Sequence, residues 1–237
     1  MKKQLLILFS FACLATNAQT VDEIIHQYAN AMGGLDNINN VQTLKKTGTL
    51  IAQGLELQMT VQVINNKAIR TEIEAMGKKL IVCYKDEKAW TLNPFAGDTT
   101  ATDVTGPELL ELKAQCQLSS HLMDYKARGH QVELIGKDTV DSATAYKIKL
   151  VNKESGIVTY YLIDSTTSLL VRLFTITEDN VGDEIKMATT FSDLRTFGEL
   201  KFNMIQTQTV NGEILREIKF NTVELNVPID EKIFEKQ

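Results

Sequence analysis

The sequence is poor in the residues that usually announce catalysis or metal binding. It holds three histidines, three cysteines, one tryptophan and three prolines in 237 residues. It has no glycine-rich phosphate loop, no G-x-S-x-G and no H-E-x-x-H, which removes the common nucleotide-binding, serine-hydrolase and zinc-protease readings. His26 falls on the polar side of a helical stretch. His121 and His130 flank Asp124 at a spacing that fits no ligand set, and they read as solvated loop residues. No metal and no cofactor are expected. The formal charge of −5 is spread without a basic stripe, so nucleic acid is not an expected partner. Thirteen glycines and three prolines leave no room for a long flexible linker, and one domain over residues 19–237, acting as a monomer, is the simplest organisation.

No apolar run is long enough for a permanent membrane helix. The longest, Leu5 to Leu14, follows Lys2 and Lys3 and precedes the small-residue stretch Thr16-Asn17-Ala18. That order predicts a cleaved export signal over residues 1–18. Cys13 is not expected to carry lipid, because Phe11 stands where a lipoprotein signal needs a small residue. Export permits disulfides, yet Cys83 lies within an apolar run and Cys116 near the end of a helical one, so two buried free thiols are the expectation.

What is abundant is strand. Leu55, Leu57, Met59, Val61 and Val63 alternate with Glu56, Gln58, Thr60 and Gln62, the pattern of a strand with one dry and one wet face. About eleven such runs lie between Leu44 and Leu225, joined by turns such as Gln53-Gly54, Asp86-Glu87 and Asn211-Gly212. Short connections predict antiparallel neighbours. One helical stretch precedes them and one interrupts them. The first has a Thr20/Glu23 capping box, apolar residues from Val21 to Met32 and a Gly33-Gly34 stop. The second runs from Pro107 to Tyr125, with Leu109, Leu110, Leu112 and Cys116 as its apolar side.

A curled sheet of this size encloses more volume than its own side chains readily fill. The expected ligand surface is therefore the dry face Leu55, Leu57, Met59 and Val61 with Trp90 and Leu92, closed by Leu109, Leu112 and Leu122 from the helical stretch acting as a lid. A packed core is the competing reading for each of these residues.

The run Asp86-Glu87-Lys88-Ala89-Trp90-Thr91-Leu92-Asn93-Pro94-Phe95, followed by Thr99-Thr100-Ala101-Thr102, resembles a stretch of the outer-membrane lipoprotein-sorting (LolA-type) periplasmic carriers. Asp22-Glu23-Ile24-Ile25 with Ala31-Met32-Gly33-Gly34, and the ending Val223 to Asp230, are similar to family members as well. The resemblance implies an unclosed antiparallel β-barrel with a helical lid over an apolar cavity for lipid or acyl chains. Two positions depart from that pattern: Glu87 stands where the family has a turn glycine, and Asn65 or Asn66 where the carriers have an arginine that helps hold the lid. The Glu87 departure is expected to change turn type alone.

These observations together predict a non-catalytic, exported carrier or binding protein, working in the periplasm on a lipid, the acyl chain of a lipoprotein or a lipid-modified polypeptide, with a membrane or envelope protein as delivery partner. The alternatives are an envelope-stress or assembly module using the same fold for protein contacts, and a hydrolase whose acid pair the sequence does not single out.

Overall fold

The chain begins its sheet in the middle and not at an edge. In the computed structural model, which describes residues 19–179 and 181–236, β1 (Thr43–Ala52) turns through Gln53 and Gly54, both at positive φ (51° and 77°), into β2 (Leu55–Ile64). Two consecutive left-handed residues match the right-handed twist of the flanking strands. From there β3 (Ala68–Ala75), β4 (Lys78–Lys85), β5 (Lys88–Leu92) and β6 (Thr102–Val104) add outward to one edge.

A helical crossover then carries the chain to the opposite edge through α3 (Pro107–Gln115) and α4 (Tyr125–Arg128). Here β7 (Gln131–Val140) starts a return through β8 (Ala143–Val151), β9 (Val158–Asp164), β10 (Leu170–Glu178), β11 (Glu184–Phe197), β12 (Leu200–Val210) and β13 (Glu213–Leu225). Strand β13 finally pairs with β1, Leu44 opposite Leu225 and Leu50 opposite Ile218. The result is one thirteen-stranded sheet of antiparallel neighbours with β6 and β7 as its free edges. An unclosed barrel was expected. The two additional strands include β6, which lies in the polar stretch after Pro94 that reads as loop. The expected export signal, residues 1–18, lies outside the described residues.

The concave face is covered from two sides. Helix α1 (Val21–Ala31) opens with the expected capping box: Glu23 N–H donates to Thr20 Oγ1 at 3.3 Å and Thr20 N–H to Glu23 Oε2 at 2.8 Å. It buries Ile24, Ile25, Tyr28 and Ala29 with Ile148, Leu150, Tyr161 and Ile163 of β8 and β9. Gly33 is obligatory, since a Cβ there would lie 2.2 Å from Glu199 O, and the chain leaves the helix against β12, where Lys201 N–H donates to Met32 O at 3.0 Å. The short α2 (Leu35–Asn40) follows. Helix α3 covers the other half, as described below. No helix among the described residues is long and apolar enough to cross a membrane.

The convex face carries a second small core. The C-terminal 3-10 turn Glu231–Phe234 folds back over β3–β5, burying Phe234 with Ala68, Ile81, Cys83 and Trp90. Trp90 Nε1–H donates to Phe234 O at 3.1 Å, and Arg70 Nη1 to Ile233 O at 2.6 Å. This satisfies the buried indole and guanidinium that β-strands would otherwise strand in an apolar layer.

Candidate ligand cavity

The inward residues of β2 are not free to line a cavity. Leu109, Leu112 and Cys116 recur at helical spacing along α3 and its end, and they pack into a cluster with Leu57, Met59, Val61, Ile69, Tyr84 and Val104. Leu112 is buried. Leu110, grouped with them on sequence spacing, points the other way. Leu122 is fully buried too, but in the core beneath α1. Leu55 sits at the rim, 55% exposed.

Trp90 and Leu92 belong to the opposite face of the sheet. Register decides this: Trp90 pairs with Cys83 and Cys83 with Arg70, whereas Val61 pairs with Thr71 and Thr71 with Val82. The expectation that Trp90 and Leu92 share an interior with Leu57 and Met59 is thus corrected. The signal was present in Leu80-Ile81-Val82-Cys83-Tyr84, an unbroken apolar run of the kind seen in strands buried on both faces.

The open space lies in the other half. Helix α3 leans on β3–β5 and leaves a half-open cavity of about 780 Å3 between its far side and β8–β13. That volume is within the usual range for small-molecule sites. Leu110, Ala114 and Gln117 face it from the helix; Leu150, Leu173, Thr175, Met187, Thr189 and Gln208 face it from the strands. None of the nine residues expected to bind ligand lines it. They build the packed half against which the cavity is set. A second, more open hollow of about 620 Å3, between α1, α2 and α4, is bordered by Ile25, Leu35 and Met123 together with charged and polar groups such as Asp22, His26 and Lys126.

The covering helix is tied at its C-terminal end by two sets of contacts. Lys113 Nζ pairs with Glu87 Oε1 at 3.1 Å, and Tyr84 OH donates to the same carboxylate at 3.3 Å. Glu87 keeps the left-handed backbone that the two-residue turn requires (φ 66°), so its replacement of glycine adds a tether and does not merely alter the turn. Just beyond it, Asn65 Oδ1 accepts from Leu118 N–H at 3.1 Å, Asn65 Nδ2 donates to Val41 O at 2.9 Å, and Asn66 N–H donates to Cys116 O at 3.0 Å. A neutral amide therefore fastens the segment at the position where a lid-holding arginine was looked for.

One polar wall of the cavity carries His121, Arg128 and His130. The expectation of solvated loop histidines is corrected, since His130 is buried and His121 is partly so. The Nε2 of His130 lies 2.7 Å from His121 Nδ1. The crossover brings the two rings together by returning through α4 and Gly129, whose φ of 69° reverses the chain. Burial pushes His121 down to about 4, with Arg128 and His130 adding to the effect, and burial lowers His130 as well.

A second inward charge sits deeper. Lys46 pairs across β1 with Val61 and Val223, which puts it on the concave face. Its Nζ lies 4.8 Å from the Phe202 ring centroid and 4.9 Å from that of Phe220, with no hydrogen bond or ion pair among the described residues. Desolvation pushes its ammonium down to about 8. The side chain is half-buried, and the one sealed side-chain polar atom without a partner among the described residues is Arg128 Nε, so the ammonium still touches open space. Cys83 and Cys116 are free and buried, as expected, and burial raises the thiols to about 12 and about 11. Both are therefore poor nucleophiles.

No family sequence model matches the chain, and no curated protein sequence does. Solved structures do. A domain named for outer membrane lipoprotein sorting, from Vibrio parahaemolyticus, superposes with a TM-score of 0.61 at 9% identity, over 91% of this chain and 97% of that one. A LolA superfamily protein from Nitrosomonas europaea gives 0.61 at 11% identity, over 92% and 99%. A DUF1329 family protein from Desulfovibrio piger gives 0.63 at 13% identity, over 92% and 98%. The chain has the fold of these LolA-like open barrels.

Proposed function

We propose that the protein is an exported, non-catalytic carrier or binding protein that holds an acyl chain in the cavity between α3 and β8–β13. The observation that carries this reading is the off-centre seat of α3. It fills one half of the concave face and leaves the other as an apolar-floored hollow with a mouth. A chain entering it trades water for Leu110, Leu173 and Met187, at about 0.8 kcal/mol per methylene buried. Part of that gain is lost to ordering the ligand. The fold it shares with a LolA superfamily protein and with a lipoprotein-sorting domain supports the same reading. On it, residues 1–18 direct export and the working compartment is the periplasm, where a membrane or envelope protein would receive the cargo.

Native mass spectrometry of the protein purified from its own envelope should show a lipid-sized adduct. Titration with a fluorescent fatty acid should saturate, and Thr175→Trp, which fills the cavity without touching the α3-packed half, should weaken binding by at least about tenfold. A protein that carries no adduct and gives no saturable titration would overturn the carrier reading.

A further inference from the structure

The cavity's polar wall has a defined donor pattern. Lys153 N–H approaches His130 Nδ1 at 3.2 Å. A backbone N–H can only donate, so His130 Nδ1 accepts and the ring proton sits on Nε2. That proton is then given to His121 Nδ1, 2.7 Å away. His121 must in turn carry its proton on Nε2, which has no protein acceptor among the described residues. Beside it, Arg128 spends Nη2 on Ser119 O at 2.9 Å and Ser119 Oγ at 2.8 Å. Asp124 lies 3.6 Å from its Nε, too far for a hydrogen bond, so this sealed Nε has no hydrogen-bond partner among the described residues, and Nη1 donates to none of them either. A cation and a neutral N–H donor therefore share one wall of a cavity that is also lined by apolar groups such as Leu110, Leu173 and Met187.

We propose that this corner is the headgroup site of the cavity, binding one singly charged acid group at the end of an acyl chain, a carboxylate or a phosphodiester, through Arg128 and His121 Nε2–H. The inference rests on the carrier reading and names the chemistry of its ligand. The preference for a single charge comes from the mouth. Glu108, Glu111 and Glu154 also border the cavity, and Lys113 is held by Glu87. A dianionic phosphomonoester would meet that rim with one more repulsion than a monoanion. The low proton affinity of His121 keeps its ring neutral, with Nε2–H as a standing donor.

The test uses the full mature chain and three single-chain probes: hexadecanoic acid, palmitoyl-lysophosphatidylglycerol and hexadecanol. Each is measured by displacement of the same fluorescent probe. The acids should bind about tenfold or more tighter than the alcohol, as charge-assisted hydrogen bonds require. Whichever acid binds tighter identifies the source of the anion. Arg128→Gln should narrow the acid-to-alcohol ratio towards one, and Arg128→Lys should restore part of it. Because Arg128 also holds Ser119, a second readout needs no substitution: the 15N resonance of His121 Nε2 in the unaltered protein should shift with either acid and stay with the alcohol. Equal binding of acids and alcohol, or an unmoved His121 resonance at saturation, overturns the headgroup site and leaves the carrier reading standing. Absence of binding by all three probes overturns both.

Discussion

On β2 and β3 the inward residues are Leu57, Met59, Val61 and Ile73; on β9 to β12 they include Thr159, Thr175, Thr189 and Gln208. The first set is sealed under Leu109 and Leu112 of α3. The second faces the cavity. The two halves of one concave face thus differ in what covers them more than in how their strands run. Side chains that could form hydrogen bonds with water or a ligand are kept where the cover is missing, since burying a hydroxyl or amide unpaired costs more than exposing it. In this chain the open part of the concave face is marked by threonine, glutamine and methionine among leucines, and the densest apolar face marks the packing.

The largest expected difference between the halves is in stability. Leu122, fully buried beneath α1, and Leu112, buried under α3, have no route to water. Leu122→Ala should destabilise by about 3–5 kcal/mol and Leu112→Ala by about 2–4 kcal/mol. Leu173→Ala on the cavity floor should cost about 1 kcal/mol, since the space it vacates is already open. Urea unfolding of the three variants measures this directly. Equal losses at Leu173 and Leu122 would mean that the cavity collapses in solution and that the halves are alike.

Much of the architecture is legible in the sequence. The alternation of β2, the Asn211-Gly212 and Gln53-Gly54 turns and the Thr20/Glu23 box each act over a few residues, where pattern and local chemistry agree. The cavity was not legible, for a physical reason. Alternation tells which side of a strand avoids water and is silent on which distant segment lies over it. Leu109 and Leu110 are adjacent in sequence and face opposite ways, one into the core and one into the cavity. Trp90 looked like a lining residue because nothing near it in the chain announces that Phe234 returns to cap it. Lys46 was concealed in a run of polar residues, Lys45-Lys46-Thr47, whose members alternate between the two faces.

Lys46 sharpens the comparison from the packed side. It is the cation that the packed half keeps without a partner among the described residues, and its lowered proton affinity fixes the sign of a pH effect. The unfolded chain holds this proton up to the ordinary lysine range, while the folded chain releases it near pH 8. Between those values the unfolded state binds more protons, so this group's contribution makes stability rise with pH above about 8 and leaves it flat below. Lys46→Met should remove the rise and stabilise the protein below pH 8 by about 1–3 kcal/mol, discounted for the open space its ammonium touches. Chemical denaturation at pH 7 and pH 9.5 tests it: a variant less stable than the parent at both would show that the ammonium is favourably held.

The smallest effect concerns the tether that holds α3 to the packed half. Glu87 contributes in two opposed ways. Its left-handed backbone costs roughly 1 kcal/mol that glycine would not incur. Its carboxylate holds Lys113 at 3.1 Å, but Glu87 is largely exposed, and an exposed ion pair contributes about 0.2–1 kcal/mol. Glu87→Gly should therefore leave global stability within about 1 kcal/mol of the parent, with the sign set by whichever contribution is larger. Its local consequence has a fixed direction, because glycine restores the turn and cannot restore the tether. Hydrogen exchange should quicken severalfold at the amides of Leu110 in α3 and of Cys116 at its C-cap, while the β3–β4 ladder keeps its protection. The rate of fatty-acid entry should rise with it, since α3 is one wall of the mouth. Exchange unchanged in α3, or raised equally in α3 and β3–β4, would show that the packed leucines alone hold the helix and that Glu87 contributes nothing to access.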